Sequence, residues 1–245
     1  MNPDHLIYIA ACIGIVAFLY SSVGHAGASG YIAIMALFSM APTAIKPTAL
    51  VLNILVACIG TWQFWRAGHF SWSFFWHFAI LSIHFAFLGG YLNLPTHIFK
   101  ILIGIVLLLS AVKFLIDPKE KPDPRAPAKP ISYGVGAGLG LLAGITGTGG
   151  GIFLTPLAIL MGWAKTKTAS AVSAVFILVN SVSGLAGNLT ATKYFPAFAW
   201  SFIASALICG TVGSYLGSRK FSPEIIKRLL AVVLTIAGFK LIFTK

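Results

Sequence analysis

Ten apolar segments follow one another along the chain, and charged residues are almost confined to the gaps between them. In order they are Leu6–Tyr20, Ser29–Met40, Lys46–Trp65, Trp72–Tyr91, Thr96–Ile116, Ile131–Ile145, Gly151–Gly162, Thr166–Leu189, Tyr194–Gly217 and Pro223–Phe243. A membrane-spanning helix needs about 20 mainly apolar residues. Only 9% of the residues are charged. A soluble domain carries about 25%, so this chain has too few charges to cover a water-facing surface. These features predict an all-α polytopic membrane helix bundle of about eight to ten hydrophobic segments, with the lipid bilayer as its solvent. The net charge of +12 then reads as a topology signal, and no nucleic-acid partner is expected.

The second segment of each half is too short to span as a helix, and each follows a polar, glycine-rich break. The first break is Ser21-Ser22-Val23-Gly24-His25-Ala26-Gly27-Ala28-Ser29-Gly30, and the second is Gly144-Ile145-Thr146-Gly147-Thr148-Gly149-Gly150-Gly151. Gly24 aligns with Gly147 at a shift of 123, and Asn53 with Asn180 at a shift of 127. The two shifts differ by about one helical turn. This ordered similarity predicts two membrane repeats, 1–116 and 131–245, each opening with a broken or re-entrant helix pair. The charged, proline-rich stretch 117–130 between them reads as a solvated linker.

The distribution of Lys and Arg orients the repeats. If the first two segments of each half make no net crossing, each half crosses an odd number of times and the second is inverted. With the N-terminus outside, twelve of the 17 basic residues, from Arg66 to Arg228, face the cytoplasm. Lys46, Lys100, Lys193, Lys240 and Lys245 face outside. Parallel repeats divide the same residues nine against eight. The positive-inside rule therefore favours inverted repeats in a cell (inner) membrane, with a cytoplasmic linker and both termini outside. Residues 1–5 lack a basic region, so the first segment reads as a retained span and not a cleaved signal peptide.

The polar inventory excludes several chemistries. None of the five acids, Asp4, Asp117, Glu120, Asp123 and Glu224, lies in the interior of a membrane segment. A carboxylate proton relay and a carboxylate-ligated sodium site are thus not expected. There is no GxxxxGK, no HExxH and no buried carboxylate pair, so no catalytic residue and no enzyme activity is expected. Cys12, Cys58 and Cys209 form no CxxC pair, and neither metal nor cofactor is indicated.

What remains is the pair of breaks. A short helix that starts at such a break exposes free N–H groups and the positive end of its dipole. Two such ends meeting near the midplane would hold an anion without a buried cation. The candidate substrate-binding residues are Ser22, Gly24, His25, Ser29 and Gly30 in the first break. Thr146, Gly147, Thr148, Gly149, Gly150 and Gly151 are their counterparts in the second, with Asn53 and Asn180 beside them. The glycines admit a close ligand, the hydroxyls of Ser22, Ser29, Thr146 and Thr148 are candidate donors, and His25 is a candidate donor or proton carrier. Gly136, Gly140 and Gly144 have the four-residue spacing of close helix packing. The aromatic group Trp62, Phe64, Trp65, Phe70, Trp72, Phe74, Phe75 and Trp76 reads as an interfacial belt. His77 and His84 share one face of the fourth segment and read as interfacial or core residues.

The run Gly144-Ile145-Thr146-Gly147-Thr148-Gly149-Gly150-Gly151, followed by Pro156-Leu157, resembles the sulfite exporter TauE/SafE family of membrane permeases. Thr168-Ala169-Ser170-Ala171 leading to Asn180-Ser181 is similar to it too, as are Ala49-Leu50-Val51-Leu52-Asn53 and Phe64-Trp65-Arg66-Ala67-Gly68. The resemblance covers nearly the whole chain. It implies secondary transport of a small sulfur-containing anion, such as sulfite or an organosulfonate, usually outward. A passive anion channel and an uptake permease for another sulfur oxyanion are the alternatives. A homo-oligomer is compatible with either. The first break departs from the family form: His25, Ala26 and Ala28 stand where the second has Thr148, Gly149 and Gly151. The two breaks therefore need not contribute equally.

Overall fold

The computed structural model describes residues 3–92, 97–117, 120, 123–193 and 200–243. They form α1 (Pro3–Ser22), α2 (Ala28–Leu37), α3 (Pro42–Arg66), α4 (Trp72–Tyr91), α5 (His97–Ile116), α6 (Lys129–Thr146), α7 (Gly151–Leu160), α8 (Thr166–Thr192), α9 (Trp200–Tyr215) and α10 (Pro223–Phe243). A π-turn, Leu216–Lys220, closes α9. No strand occurs among the described residues, in accord with the all-α membrane bundle that the apolar segments predict. Helices α3, α4 and α8 are each long and apolar enough to cross a bilayer. Helices α2 and α7 have 10 residues each. At 1.5 Å per residue they reach about half way through a hydrocarbon core of about 30 Å.

Local chemistry sets the helix ends. Proline opens α3 and sits in the first turn of α6, where its missing N–H would have had no partner. Helix α3 accordingly starts at Pro42, four residues before the apolar run. Part of the ninth predicted segment, 194–199, lies outside the described residues, and its far end becomes the π-turn. The linker touches the bundle at two points. Glu120 Oε1 accepts from Thr166 N at 2.5 Å, capping α8 with a carboxylate where the helix dipole favours one. Arg125 N donates to Gly162 O at 2.9 Å.

The two halves interlock. Helix α4 packs on α6 as α9 packs on α1, and α4 on α8 as α9 on α3. Helix α3 crosses α8, and α5 crosses α10. Exchanging α1–α5 for α6–α10 maps these principal contacts onto themselves. Glycine makes the close approaches possible. A Cβ on Gly136, Gly140 or Gly144 would collide with the carbonyl of Phe78, Ser82 or Ala86, one turn apart on α4. The α5–α10 crossing is reciprocal: a Cβ on Gly104 would lie 2.8 Å from Gly238 O, and one on Gly238 would lie 2.9 Å from Gly104 O. Lipid tails are as apolar as the side chains, so this van der Waals fit is a main attraction between the helices.

The aromatic group divides in a way its composition does not announce. Trp62, Trp65, Trp72 and Trp76 are exposed and ring the α3–α4 corner, where Phe70 meets Trp72 edge-on at 5.1 Å. Phe64, Phe74 and Phe75 are buried and belong to the interior, a correction to their reading as belt residues. Alternate faces of one helix meet different solvents, and the run of aromatics hides this. At the same corner His69 Nε2 bonds the Ser218 carbonyl of the π-turn at 3.0 Å.

Two outcomes follow from this packing. Gly140→Ala should destabilise the protein by about 1–3 kcal/mol through overpacking. Gly138→Ala, whose Cβ would meet nothing within 4 Å, should be neutral or stabilising; thermal unfolding in detergent compares the two. Burial, with Lys167 nearby, holds the His69 pKa below its ordinary 6.5 against the opposing pull of the Ser218 carbonyl. The neutral ring is thus the folded form. Its contribution to stability is full above pH 6.5 and is lost as the pH falls from there through the folded value. A His69→Gln protein should show a shallower acid limb in the same measurement.

Candidate functional site

Both breaks use left-handed backbone at equivalent places. Gly24 and Gly147 have φ of 79° and 73°, and Gly27 and Gly150 have 107° and 81°. Any L side chain is strained there, which accounts for the glycine pairs at a shift of 123. The second break adds a third such residue, Gly149 at 76°, where the first has Ala26.

Asn53, fully buried near the middle of α3, joins the two breaks. Its Oδ1 accepts from Ala28 N at 3.0 Å, capping α2. Its Nδ2 donates to the Thr148 carbonyl at 3.2 Å and to Ser181 Oγ on α8 at 3.1 Å. Asn180, at the matched place on α8, does not mirror this. Its Oδ1 accepts from Ser82 Oγ at 2.7 Å, and its Nδ2 is buried without a hydrogen-bond partner. The start of α7 therefore has no side-chain cap. Among the described residues, no acceptor faces the N–H groups of Gly149, Gly150, Gly151 and Ile152. Those groups form a donor cluster at the positive end of α7, buried in protein.

The hydroxyl groups are arranged differently. Ser22 Oγ donates to Leu19 O at 2.7 Å, and Ser29 Oγ to the Tyr20 hydroxyl at 3.0 Å. Thr146 Oγ1 donates to Leu142 O at 2.6 Å, so in the 2.8 Å pair with Thr148 the proton comes from Thr148. All four hydroxyl protons are engaged with protein acceptors, so none of these four candidate donors is free. Gly30 packs against Val16 of α1. Tyr31 donates to the Ala26 carbonyl at 2.5 Å and lays its ring beside Gly27, covering the first break.

His25 crosses from the first break to the second short helix. Its Nε2 lies 2.8 Å from Thr155 Oγ1, which donates to Ser173 Oγ at 2.7 Å. The threonine proton is thus engaged, Nε2 carries the ring proton, and Nδ1 is a bare acceptor, buried and unpartnered. His77 and His84 stay away from this cluster; each bonds a carbonyl one turn back on α4.

Lys46 is the functional candidate that sequence reasoning missed. A Cβ on Gly147 would lie 3.0 Å from Lys46 Cγ, so the lysine stem runs along the second break. Its Nζ reaches the Gly90 carbonyl in the last turn of α4 at 3.4 Å. A lysine stem thus borders a break that the sequence read as built without a cation, with its ammonium turned to the end of α4. The available signal was a lone lysine opening an otherwise apolar segment, which the charge distribution absorbed as a topology marker.

The two asparagines should respond unequally to removal. Asn53→Ala orphans Ala28 N and the Thr148 carbonyl inside the bundle, at about 1–3 kcal/mol for each group. Asn180→Ala breaks one side-chain bond and removes an unpartnered amide. Thermal unfolding of the pair should place Asn53→Ala clearly lower; equal midpoints would contradict the brace.

Comparison with known proteins places the chain among membrane transporters. The family model described as Sulfite exporter TauE/SafE matches residues 9–241. The chain is 36% identical to a probable membrane transporter protein, y4hK, of Sinorhizobium fredii, over 97% of this chain and 98% of that protein. It is 24% identical to the probable membrane transporter protein YjnA of Bacillus subtilis, over 96% of each. It is 26% identical to the probable membrane transporter protein MJ0441 of Methanocaldococcus jannaschii, over 78% of this chain and 76% of that one. No solved structure matches.

Proposed function

We propose that this chain, which belongs to the sulfite exporter TauE/SafE family and is a membrane transporter and not an enzyme, carries a small sulfur-containing anion such as sulfite or an organosulfonate outward across the cell membrane. The observation that carries the substrate reading is the uncapped start of α7. Buried N–H groups from Gly149 to Ile152 lie there without an acceptor among the described residues, with the Lys46 stem alongside Gly147. Backbone donors and a helix dipole favour an oxyanion, and a nearby lysine adds charge complementarity. Thr146, Gly147 and Thr148 belong to this arm, with Asn180 turned toward Ser82 of α4. Ser22, Gly24, His25, Ser29, Gly30 and Asn53 support it from the first break.

The exchange symmetry of the helix contacts supports two repeats, and the basic-residue count favours their inversion with both termini outside. An anion leaving a cell that is negative inside gains about 2.3 kcal/mol per charge per 100 mV, so the membrane potential alone is sufficient drive. The His25–Thr155–Ser173 chain favours a second reading, proton coupling, because it joins a buried imidazole of the first break to hydroxyls of α7 and α8. Flux that follows a pH gradient with the potential clamped at zero would select it.

Flux of sulfite, sulfate, thiosulfate and a small sulfonate through proteoliposomes tests the reading. Lys46→Gln should raise KM for the transported anion by about tenfold or more, the worth of a charge-assisted hydrogen bond, while Lys46→Arg retains most of the affinity. An unchanged KM in Lys46→Gln, or no flux of any of these anions, removes the reading. Gly149→Ala is a poor probe, because its Cβ would meet Ser181 Oγ at 2.7 Å and Asn53 Nδ2 at 2.8 Å. It would disturb the Asn53 brace along with any site.

A further inference from the structure

At the tryptophan-ringed end of the bundle, α3 and α9 diverge and leave an open groove of about 700 Å³. Gln63 Nε2 ties its floor to the Thr211 carbonyl at 3.0 Å. One wall is apolar and half-exposed to exposed, with Ile59, Trp62 and Val212. At the other end stand two arginines, Arg66 and Arg219. Each guanidinium lies over an aromatic ring of the same groove, Arg66 over Trp62 and Arg219 over Tyr215, both at 5.5 Å. Neither pairs with a carboxylate among the described residues.

Arg219 is held in place from behind. It belongs to the π-turn, whose wider winding swings side chains off the α-helical register. Gly217 of that turn packs directly on the Ser22 carbonyl, and the Ser218 carbonyl accepts from His69 and, at 3.5 Å, from Lys167. The turn is therefore anchored on three elements, and Arg219 is presented toward the groove.

We infer that this groove binds the headgroup of an anionic phospholipid. The exposed tryptophans mark the headgroup level at this end of the bundle. Two unpaired guanidiniums there complement one phosphate, and both are planar donors suited to its oxygens. The apolar wall toward the hydrocarbon takes an acyl chain, which a soluble phosphate lacks. The groove shares no lining residue with either helix break, and the inference stands independently of the transported substrate.

Native mass spectrometry of the full chain in detergent, offered equal phosphatidylglycerol and phosphatidylcholine, tests this. The wild type should retain phosphatidylglycerol preferentially. At about fivefold per basic residue near a headgroup, Arg66→Gln with Arg219→Gln should lower that preference about twenty-five-fold. Arg125→Gln with Lys165→Gln removes equal charge elsewhere and should leave it unchanged. Val212→Trp keeps both arginines but fills the groove, and should also weaken retention; it serves if the double arginine variant does not fold. Equal preference in the wild type and the arginine variant, or full retention in Val212→Trp, overturns the inference. So does displacement of the lipid by an equal concentration of glycerol 3-phosphate, which would make the ligand a soluble phosphate. A second copy of the chain retained in place of lipid would overturn it too.

Discussion

In hydrocarbon, a backbone that leaves the helix must find its hydrogen-bond partners in protein, and Asn53 supplies partners to both breaks at once. Its carbonyl oxygen caps α2, while its amide holds the Thr148 carbonyl and Ser181. One buried side chain thereby fixes the distance between two non-helical segments from opposite halves of the chain. The brace thus helps to hold the starts of both short helices inside the bundle. Their free N–H groups can then point inward without facing lipid.

The brace also sets the two halves of the chain apart. Asn180 occupies the place equivalent to Asn53 but turns its oxygen to Ser82, so α7 begins uncapped where α2 is capped. Tyr31 further covers the first break, while Lys46 lies along the second. Two breaks of like backbone thus have unlike surroundings.

Close packing makes these placements rigid. Glycines on α6 rest on successive carbonyls of α4, and α5 and α10 cross at a reciprocal glycine pair. Because each half of the chain packs mainly on the other, the two halves are not separate bodies in space. The glycines of the second break share this double duty. Gly149 and Gly150 are needed for left-handed backbone and also for the approach of Asn53, Ser181 and Phe176.

Much of this was legible in the sequence. Long apolar segments with few charges dictate a helical membrane bundle, because only helices satisfy their own backbone within a short segment. The glycine runs mark the two breaks, since left-handed backbone excludes other residues at Gly24, Gly27, Gly147 and Gly150. The spacing of Gly136, Gly140 and Gly144 points to a close helix contact, and the structure supplies α4 as the partner. These are local properties, set by each residue and its near neighbours. What the tertiary structure decided is everything that depends on a partner far along the chain. Matched asparagines became a brace and an unsatisfied amide, four candidate hydroxyl donors found protein acceptors, and Phe64 turned inward while Trp65 faced out. Lys46, a topology marker by its position in the chain, came to lie on Gly147 about one hundred residues away, because hydrogen bonds and charges act through space and only the packed bundle sets those distances.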